Sequence, residues 1–253
     1  FQSISIKPFG KIGLGLLELN KGNTAGATSL FDAAASETKN KNSEIFIAIS
    51  RAIASSKANS KDAAAEWAKK AVDMAKNNPD YRLAYGEAYL STQDGGNAIT
   101  QYEYAQQFAP NSAVPYAKIG QVYFRNRNYS LMKENLAKAL DKDPNNVFAL
   151  SYMAELYYRY NSFDSAKIFQ QKVLDYGDKT PEDQAMMANI LFKMKDYEGA
   201  IALINEIIKG DNKYNYLNRL IGYSYYETQK PQEAISFLEK FLEAQPKERI
   251  ISS

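Results

Sequence analysis

Apolar residues recur every three or four positions along most of the chain, in short stretches that polar turns separate. In residues 113–146 the two apolar stripes consist of Tyr116, Ile119 and Tyr123 and of Leu136, Ala139 and Leu140. This spacing places the apolar side chains on one face of an amphipathic helix. Because the polar segment 126–128 lies between the stripes, the pattern predicts two antiparallel helices joined by a short turn.

The same arrangement repeats every 34 residues, so that five blocks tile residues 79–248. One column of the repeat holds the small residues Gly86, Gly120, Ala154, Ala188 and Gly222. A second column, three positions later, holds Tyr89, Tyr123, Tyr157, Leu191 and Tyr225. A third, twelve positions after the small residue, holds Ala98, Met132, Ala166, Ala200 and Ala234. Glycine inside a helix costs about 1 kcal/mol relative to alanine, so the first column predicts a close approach of the paired helix.

Residues 1–78 carry a weaker form of the pattern and are predicted to form two degenerate hairpins. The first has the expected spacing at Gly15, Ala27, Phe31 and Ala34, although Glu18 stands where a tyrosine is expected. The second fits Phe46, Ile49, Ser50 and Ile53, followed by Ala64, Ala68 and Ala71. Its connecting segment, residues 55–61, is a couple of residues longer than that of a regular block.

The two ends of the chain suggest a trimmed product. The first residue is Phe1 rather than Met. Residues 249–253 form a tail too short for a helix that would cover the last hairpin. We therefore expect that the natural protein continues beyond residue 253 or that this end pairs with a partner.

Block 113–146 resembles the tetratricopeptide repeat family along its whole length. The departures from the family pattern are Met132 in this block, Gln170 in the next and Asn218 in the last. The resemblance implies an all-α fold, a right-handed α-solenoid of antiparallel helix hairpins, also called an α–α superhelix. In that architecture the first helix of each hairpin lines a concave groove.

The register of the resemblance assigns ten residues to this groove. The aromatic positions are Phe124, Tyr158, Phe192 and Tyr226, the cationic positions are Arg125, Arg159 and Lys193, and the remaining positions are Gln121, Glu155 and Asn189. Aromatic faces and guanidinium groups suit the binding of an extended or helical peptide. An aromatic residue at this position also packs between hairpins in family members of any function, so both interpretations stay open.

One specialised form of groove does not fit the sequence. Some family members hold the carboxyl-terminal tail of heat-shock chaperones with a clamp of lysine, asparagine and arginine side chains. The positions where the first clamp lysine could lie are Leu83, Ala117, Ser151 and Ala185. The sequence therefore predicts no chaperone-tail clamp.

Composition narrows the chemistry that the chain can perform. Cysteine and histidine are absent, which excludes thiolate nucleophiles, imidazole acid–base catalysis and most zinc sites. Lys and Arg number 31 against 29 Asp and Glu, and this balance argues against nucleic acid or an anionic membrane as partner. Apolar runs are too short to span a bilayer. We expect no enzymatic activity, no cofactor and no metal.

Two local features receive structural interpretations. The segment Gly10–Gly15 faintly resembles a nucleotide-binding loop but lacks the Gly-Lys-Ser/Thr ending, so Gly13 and Gly15 are interpreted as close-packing positions of the first hairpin. The single tryptophan, Trp67, is predicted to pack inside the second hairpin.

These observations together predict a protein–protein interaction scaffold or adaptor that binds a peptide or protein partner in the groove. Two alternatives stay open: a helical module of a larger bacterial sensor or enzyme, and a carbohydrate-capture protein of a bacterial envelope in which tyrosines stack on sugars. Export to an envelope and a cytoplasmic location both remain compatible with the sequence, and the oligomeric state is open.

Overall fold

The computed structural model describes residues 7–58, 61–209 and 214–244, which contain fourteen α-helices and no strand. The helices are α1 Pro8–Asn20, α2 Thr24–Glu37, α3 Ser43–Ser55, α4 Ala63–Met74, α5 Pro79–Ser91, α6 Gly95–Phe108, α7 Val114–Arg125, α8 Tyr129–Lys142, α9 Val147–Arg159, α10 Phe163–Tyr176, α11 Pro181–Lys193, α12 Tyr197–Ile208, α13 Leu217–Glu227 and α14 Pro231–Glu243. Consecutive helices pack in pairs, from α1 with α2 to α13 with α14. The predicted all-α fold of helix hairpins is confirmed.

The helices group into two compact units. The first unit extends to Asp143 and holds α1 to α8, and the second begins at Pro144 and holds α9 to α14. The division of the sequence into degenerate repeats in 1–78 and regular repeats in 79–248 stays a prediction. The tail predicted for 249–253 lies outside the described residues.

The turn inside most hairpins has one recurring geometry. A residue with positive φ follows the first helix at 34-residue intervals, at Gln93, Arg127, Asn161, Lys195 and Gln229. The amide of the following residue donates to a carbonyl of the large-residue column, which consists of Tyr89, Tyr123, Tyr157, Leu191 and Tyr225. In one of these turns Asn128 N donates to Tyr123 O over 2.9 Å. This is the left-handed ending that satisfies the last carbonyls of a helix. Gly22, with φ of 84°, forms the same turn in the first hairpin, where Asn23 N donates to Glu18 O.

The small-residue column marks the closest approach of the two helices in a hairpin. A Cβ added at Gly86 would lie 2.4 Å from Cε1 of Tyr102, and one at Gly120 would lie 2.7 Å from Cδ2 of Leu136. Both contacted side chains are completely buried. Real Cβ atoms do not approach other atoms this closely, so glycine here lets the second helix pack directly on the first. The predicted close approach is confirmed.

The two hairpins predicted within residues 1–78 also bring their paired helices close together, the first at a glycine and the second at a serine. A Cβ at Gly15 would lie 2.4 Å from Cε1 of Phe31, which confirms close packing there. Gly13 is exposed with nothing within 4 Å of its added Cβ, so the close-packing interpretation of Gly13 was wrong. In the second hairpin Ser50 takes the small position and its Oγ donates to Ala64 O over 2.8 Å.

The irregular residues of the sequence pattern also lie in the core. Met132 is completely buried, and Asn218 is 5% exposed. Gln170 is buried as well, and its Nε2 donates to Asp183 O over 2.8 Å. Because Asp183 lies in α11, this hydrogen bond joins α10 to the next hairpin along the chain. A buried amide with a satisfied donor is tolerated in an apolar core.

Each unit buries apolar surface between neighbouring hairpins as well as within them. In the first unit one cluster of buried side chains runs from Ile12 in α1 to Ala88 in α5 and therefore joins three hairpins. A hairpin in such an array does not bury enough surface by itself, so its stability depends on its neighbours.

Replacing Gly86 with alanine should destabilise the first unit, because the added methyl group meets the buried Tyr102 ring. We expect a net loss of about 1–3 kcal/mol from overpacking. Gly13→Ala is the matched control, since the site is open and alanine favours the helix by up to about 1 kcal/mol. Urea unfolding followed by circular dichroism measures both changes. Equal stability of the wild type and Gly86→Ala would contradict the close-approach geometry.

Candidate binding groove

The first unit contains an open groove of about 800 Å³ on its first helices. Helices α3, α5 and α7 line it, together with Lys61 from the segment that precedes α4. Most of the other lining side chains are small or polar, among them Ala48, Ala52, Ser55, Ser91 and Gln121. The volume lies within the range of about 300–1,000 Å³ that is usual for ligand sites.

Positive charge dominates this groove. Arg51, Lys61, Lys118 and Arg125 line it, against one carboxylate, Glu87. Lys118 Nζ forms an ion pair with Glu87 Oε1 over 2.7 Å. The groove therefore carries a local excess of cations that the nearly neutral composition of the whole chain does not reveal.

Two of these cations are held in place by backbone carbonyls. Arg125 Nη1 donates to Leu90 O over 3.3 Å, which links α7 to the end of α5. Lys61 Nζ donates to Ala54 O over 3.0 Å and lies partly buried at the end of α3. A guanidinium has five N–H donors, so this bond orients the Arg125 side chain without exhausting its donors.

The sequence-predicted residues of the first unit divide between the groove and the hairpin core. Gln121 and Arg125 line the groove. Phe124 instead packs on Tyr129 at the start of α8, with ring centroids 6.3 Å apart. Whether these residues contact a partner stays a prediction.

Three of the groove cations were missed from the sequence: Arg51, Lys61 and Lys118. Arg51 could have been found, because it follows Ser50 as Gln121 follows Gly120 in the repeat register. Its hairpin has two more residues between the helices than a regular block, and the groove positions were assigned only in the regular blocks. Lys61 lies in that longer segment, which the repeat register does not cover.

The predicted aromatic residues of the second unit pack mainly inside their own hairpins. Tyr158 lies edge-on to Phe163 with centroids 5.7 Å apart, and Phe192 lies edge-on to Tyr197 with centroids 5.5 Å apart. Burial, and secondarily the charge of Glu155, raises the pKa of Tyr158. The aromatic column is the set of aromatic groove positions, Phe124, Tyr158, Phe192 and Tyr226. These contacts support the packing interpretation for Tyr158 and Phe192.

The predicted polar residues of the second unit take part in interactions along their own helices. Arg159 Nε pairs with Glu155 Oε1 over 2.6 Å, one helical turn away. Asn189 Nδ2 donates to Ala185 O over 2.8 Å, and Lys193 lies exposed at the end of α11. Their contact with a partner stays a prediction.

Tyr226 is the exception in the aromatic column. It is 68% exposed, and the position five residues later, which carries an aromatic ring in the three hairpins before it, holds Pro231. Its side chain is therefore presented to solvent rather than packed on the second helix of its hairpin.

Two features are absent from the part of the chain that the structure describes. None of its helices combines the length and the apolar character needed to cross a bilayer. The same residues hold no group of three or more carboxylates, histidines or cysteines arranged around a possible metal position.

The paired helices, their recurring turn and the close approach within each pair define an all-α helical repeat solenoid. Residues 113–146 match the family model described as tetratricopeptide repeat, and residues 160–241 match the model described as anaphase-promoting complex, cyclosome, subunit 3. Together with the helical repeat fold, these two partial matches support a tetratricopeptide repeat protein. This repeat generally serves as a scaffold for protein–protein interaction, and its members are typically not enzymes.

Solved structures agree with this fold. The Cut9–Hcn1 hetero-tetramer of APC/C is 17% identical with a TM-score of 0.68, over 97% of this chain and 47% of that chain. Yeast Tom70 is 16% identical with a TM-score of 0.68, over 95% of this chain and 50% of that chain. YrrB, described as a TPR protein with an unusual peptide-binding site, is 18% identical with a TM-score of 0.62, over 72% of this chain and 94% of that chain.

The chain thus spans about half the length of the matched chains of the Cut9–Hcn1 complex and of Tom70. At these identities the likeness concerns the fold alone. No curated protein sequence matches the chain significantly.

Truncation to alanine should reduce the stability of the protein where the aromatic ring packs in its hairpin and leave it nearly unchanged where the ring is exposed. Phe192→Ala removes a half-buried ring that packs on Tyr197, so we expect a loss of about 2 kcal/mol. Tyr226→Ala, in the same register position, should change stability by less than about 0.5 kcal/mol because its ring is exposed. Chemical denaturation of both variants measures the difference. A similar loss in both would contradict the distinction between them.

Proposed function

We propose that the chain is a protein-interaction scaffold that binds an extended acidic segment of a protein partner in the groove of α3, α5 and α7. The observation that carries this proposal is the charge of the groove, where four cations face one carboxylate. Arginine and lysine pair with carboxylates through charge-assisted hydrogen bonds. An acidic segment would therefore gain several such bonds along the groove.

The positions of the cations favour an extended ligand over a compact one. Arg51 comes from α3, and Lys118 and Arg125 come from α7, so the charges lie on both sides of α5 and are spread along the groove. A compact anion would contact one or two of them, whereas an extended chain can contact them in turn. The peptide-binding site named for YrrB, a protein of the same fold, is compatible with this use of the repeat.

A peptide is also favoured over a single-stranded nucleic acid. Binding of single strands commonly depends on aromatic side chains on which bases stack. The described residues that line the groove include no aromatic side chain. The small side chains Ala48, Ala52 and Ser55 leave room for the side chains of a peptide instead.

The predicted contact residues of the second unit form a separate part of the proposal. Arg159, Lys193, Asn189, Glu155 and Tyr226 are expected to contact a protein partner of that unit. Phe192 and Tyr158 are expected to contribute the exposed parts of their rings.

Fluorescence anisotropy with a labelled decapeptide of alternating glycine and glutamate tests the proposal. A peptide with glutamine in place of glutamate is the neutral control, and an oligothymidylate of equal charge tests nucleic acid. We expect the acidic peptide to bind more tightly than both probes, and its affinity to fall as salt rises, because salt screens the exposed charges of Arg51 and Arg125.

Substitutions then locate the site. Arg51→Gln with Arg125→Gln should weaken the acidic peptide by about tenfold, as expected for two partly exposed ion pairs. Lys138→Gln is the matched control, because Lys138 is an exposed cation of α8 outside the groove. Equal binding of the acidic and neutral peptides, tighter binding of the oligothymidylate, or equal effects of the groove and control substitutions would each refute the proposal.

A further inference from the structure

A second concavity of the first unit lies between the second helices of the first two hairpins. This cleft has a volume of about 490 Å³ and shares no lining residue with the basic groove. Helix α2 forms one wall and α4 forms the other, while Leu19 and Ile53 contribute buried apolar side chains between them. Ala58, which follows α3, also lines the cleft.

The only tryptophan of the chain lines this cleft. Trp67 packs inside the second hairpin, as predicted, with its ring centroid 5.5 Å from that of Phe46. The Nζ of Lys70 lies 3.9 Å from the centroid of the indole ring, in the position of a cation–π contact. The indole is thus fixed by the core on one side and attracts a cation of its own chain.

Two carboxylates lie on the facing walls of the cleft. Asp32 comes from α2 and Glu66 from α4, and both residues are exposed. Neither carboxylate forms a side-chain hydrogen bond or an ion pair with another residue that the structure describes. With Lys70 as the one cation among the lining residues, the cleft carries a net negative charge.

We infer that this cleft binds a guanidinium group, either of a small free cation or of an arginine side chain in a protein. A guanidinium is planar, stacks on an indole and donates paired hydrogen bonds to carboxylates. Trp67, Asp32 and Glu66 supply the matching surface and charge. The ligand displaces the ammonium of Lys70 from the indole face. This site is independent of the proposed peptide groove.

Trp67 is itself the reporter for the test, because its fluorescence can be excited apart from that of the tyrosines. The full chain is titrated with ethylguanidinium, with a blocked Gly-Arg-Gly peptide, and with the same peptide carrying citrulline, the neutral isostere of arginine. We expect a saturable change with the two cations, with a dissociation constant on the order of 1 mM for ligands this small. Isothermal titration calorimetry supplies an independent reading.

The comparison of the two cations identifies the source of the ligand. Tighter binding of the arginine peptide than of ethylguanidinium assigns the cleft to a protein side chain. The reverse order assigns it to a free cation. Equal responses to the arginine and citrulline peptides, or no response in either measurement, would overturn the inference.

Variants link the binding to the named residues. Asp32→Asn and Glu66→Gln should each weaken the cation by about threefold to tenfold, since each removes one partly exposed charge contact. Lys70→Met should strengthen it several-fold by uncovering the indole. Asp73→Asn is the control, because Asp73 is an exposed carboxylate of α4 that pairs with Lys69 outside the cleft. If Glu66→Gln and Asp73→Asn behave alike, the carboxylate contact is wrong.

Discussion

The close approach of two helices at one small residue is the contact on which each hairpin depends. Where Gly86 faces Tyr102, the ring of a large residue lies directly over the backbone of the partner helix. This contact fixes the distance between the helices, and the recurring left-handed turn fixes how the chain enters the second helix. With both fixed, the outward positions of the first helix recur at the same place in each block. The groove is a consequence of that recurrence within the first unit.

The turn shows how much local strain this regularity tolerates. Five residues with side chains, among them Arg127 and Asn161, adopt positive φ although glycine would do so more easily. The amide of the next residue donates a hydrogen bond to a backbone carbonyl of the large-residue column. In three of these turns the side chain of that next residue, which is Asp94, Asn128 or Asp196, also caps the second helix. The local cost is therefore offset by satisfied backbone groups at both helix ends. Glycine occupies this position at Gly22.

The spacing of apolar and small residues was sufficient to predict the helices, their pairing and the close contact at Gly86 and Gly120. Such spacing reports burial directly, because only small residues fit where helices touch. It identified no groove cation in the second hairpin, because groove positions were assigned only in the regular blocks; Arg51 follows Ser50 as Gln121 follows Gly120, whereas Lys61 lies in the longer segment that the register does not cover. Nor did the register separate Tyr226 from Phe192, since their difference depends on the residue five positions later, which is Pro231 after Tyr226 and Tyr197 after Phe192.

The net charge of this chain does not describe how its charges are distributed in space. The near balance of 31 cations and 29 anions argued against electrostatic partners. The hairpin geometry separates the charges instead, since α3 contributes Arg51 to the basic groove while α4 contributes Glu66 to the acidic cleft. Attraction between charges falls off within about a Debye length of 8–10 Å, so a ligand responds to the local set of charges rather than to the sum. One hairpin can thus present opposite charge on its first and second helices, and a scaffold built in this way can hold two partners of opposite charge.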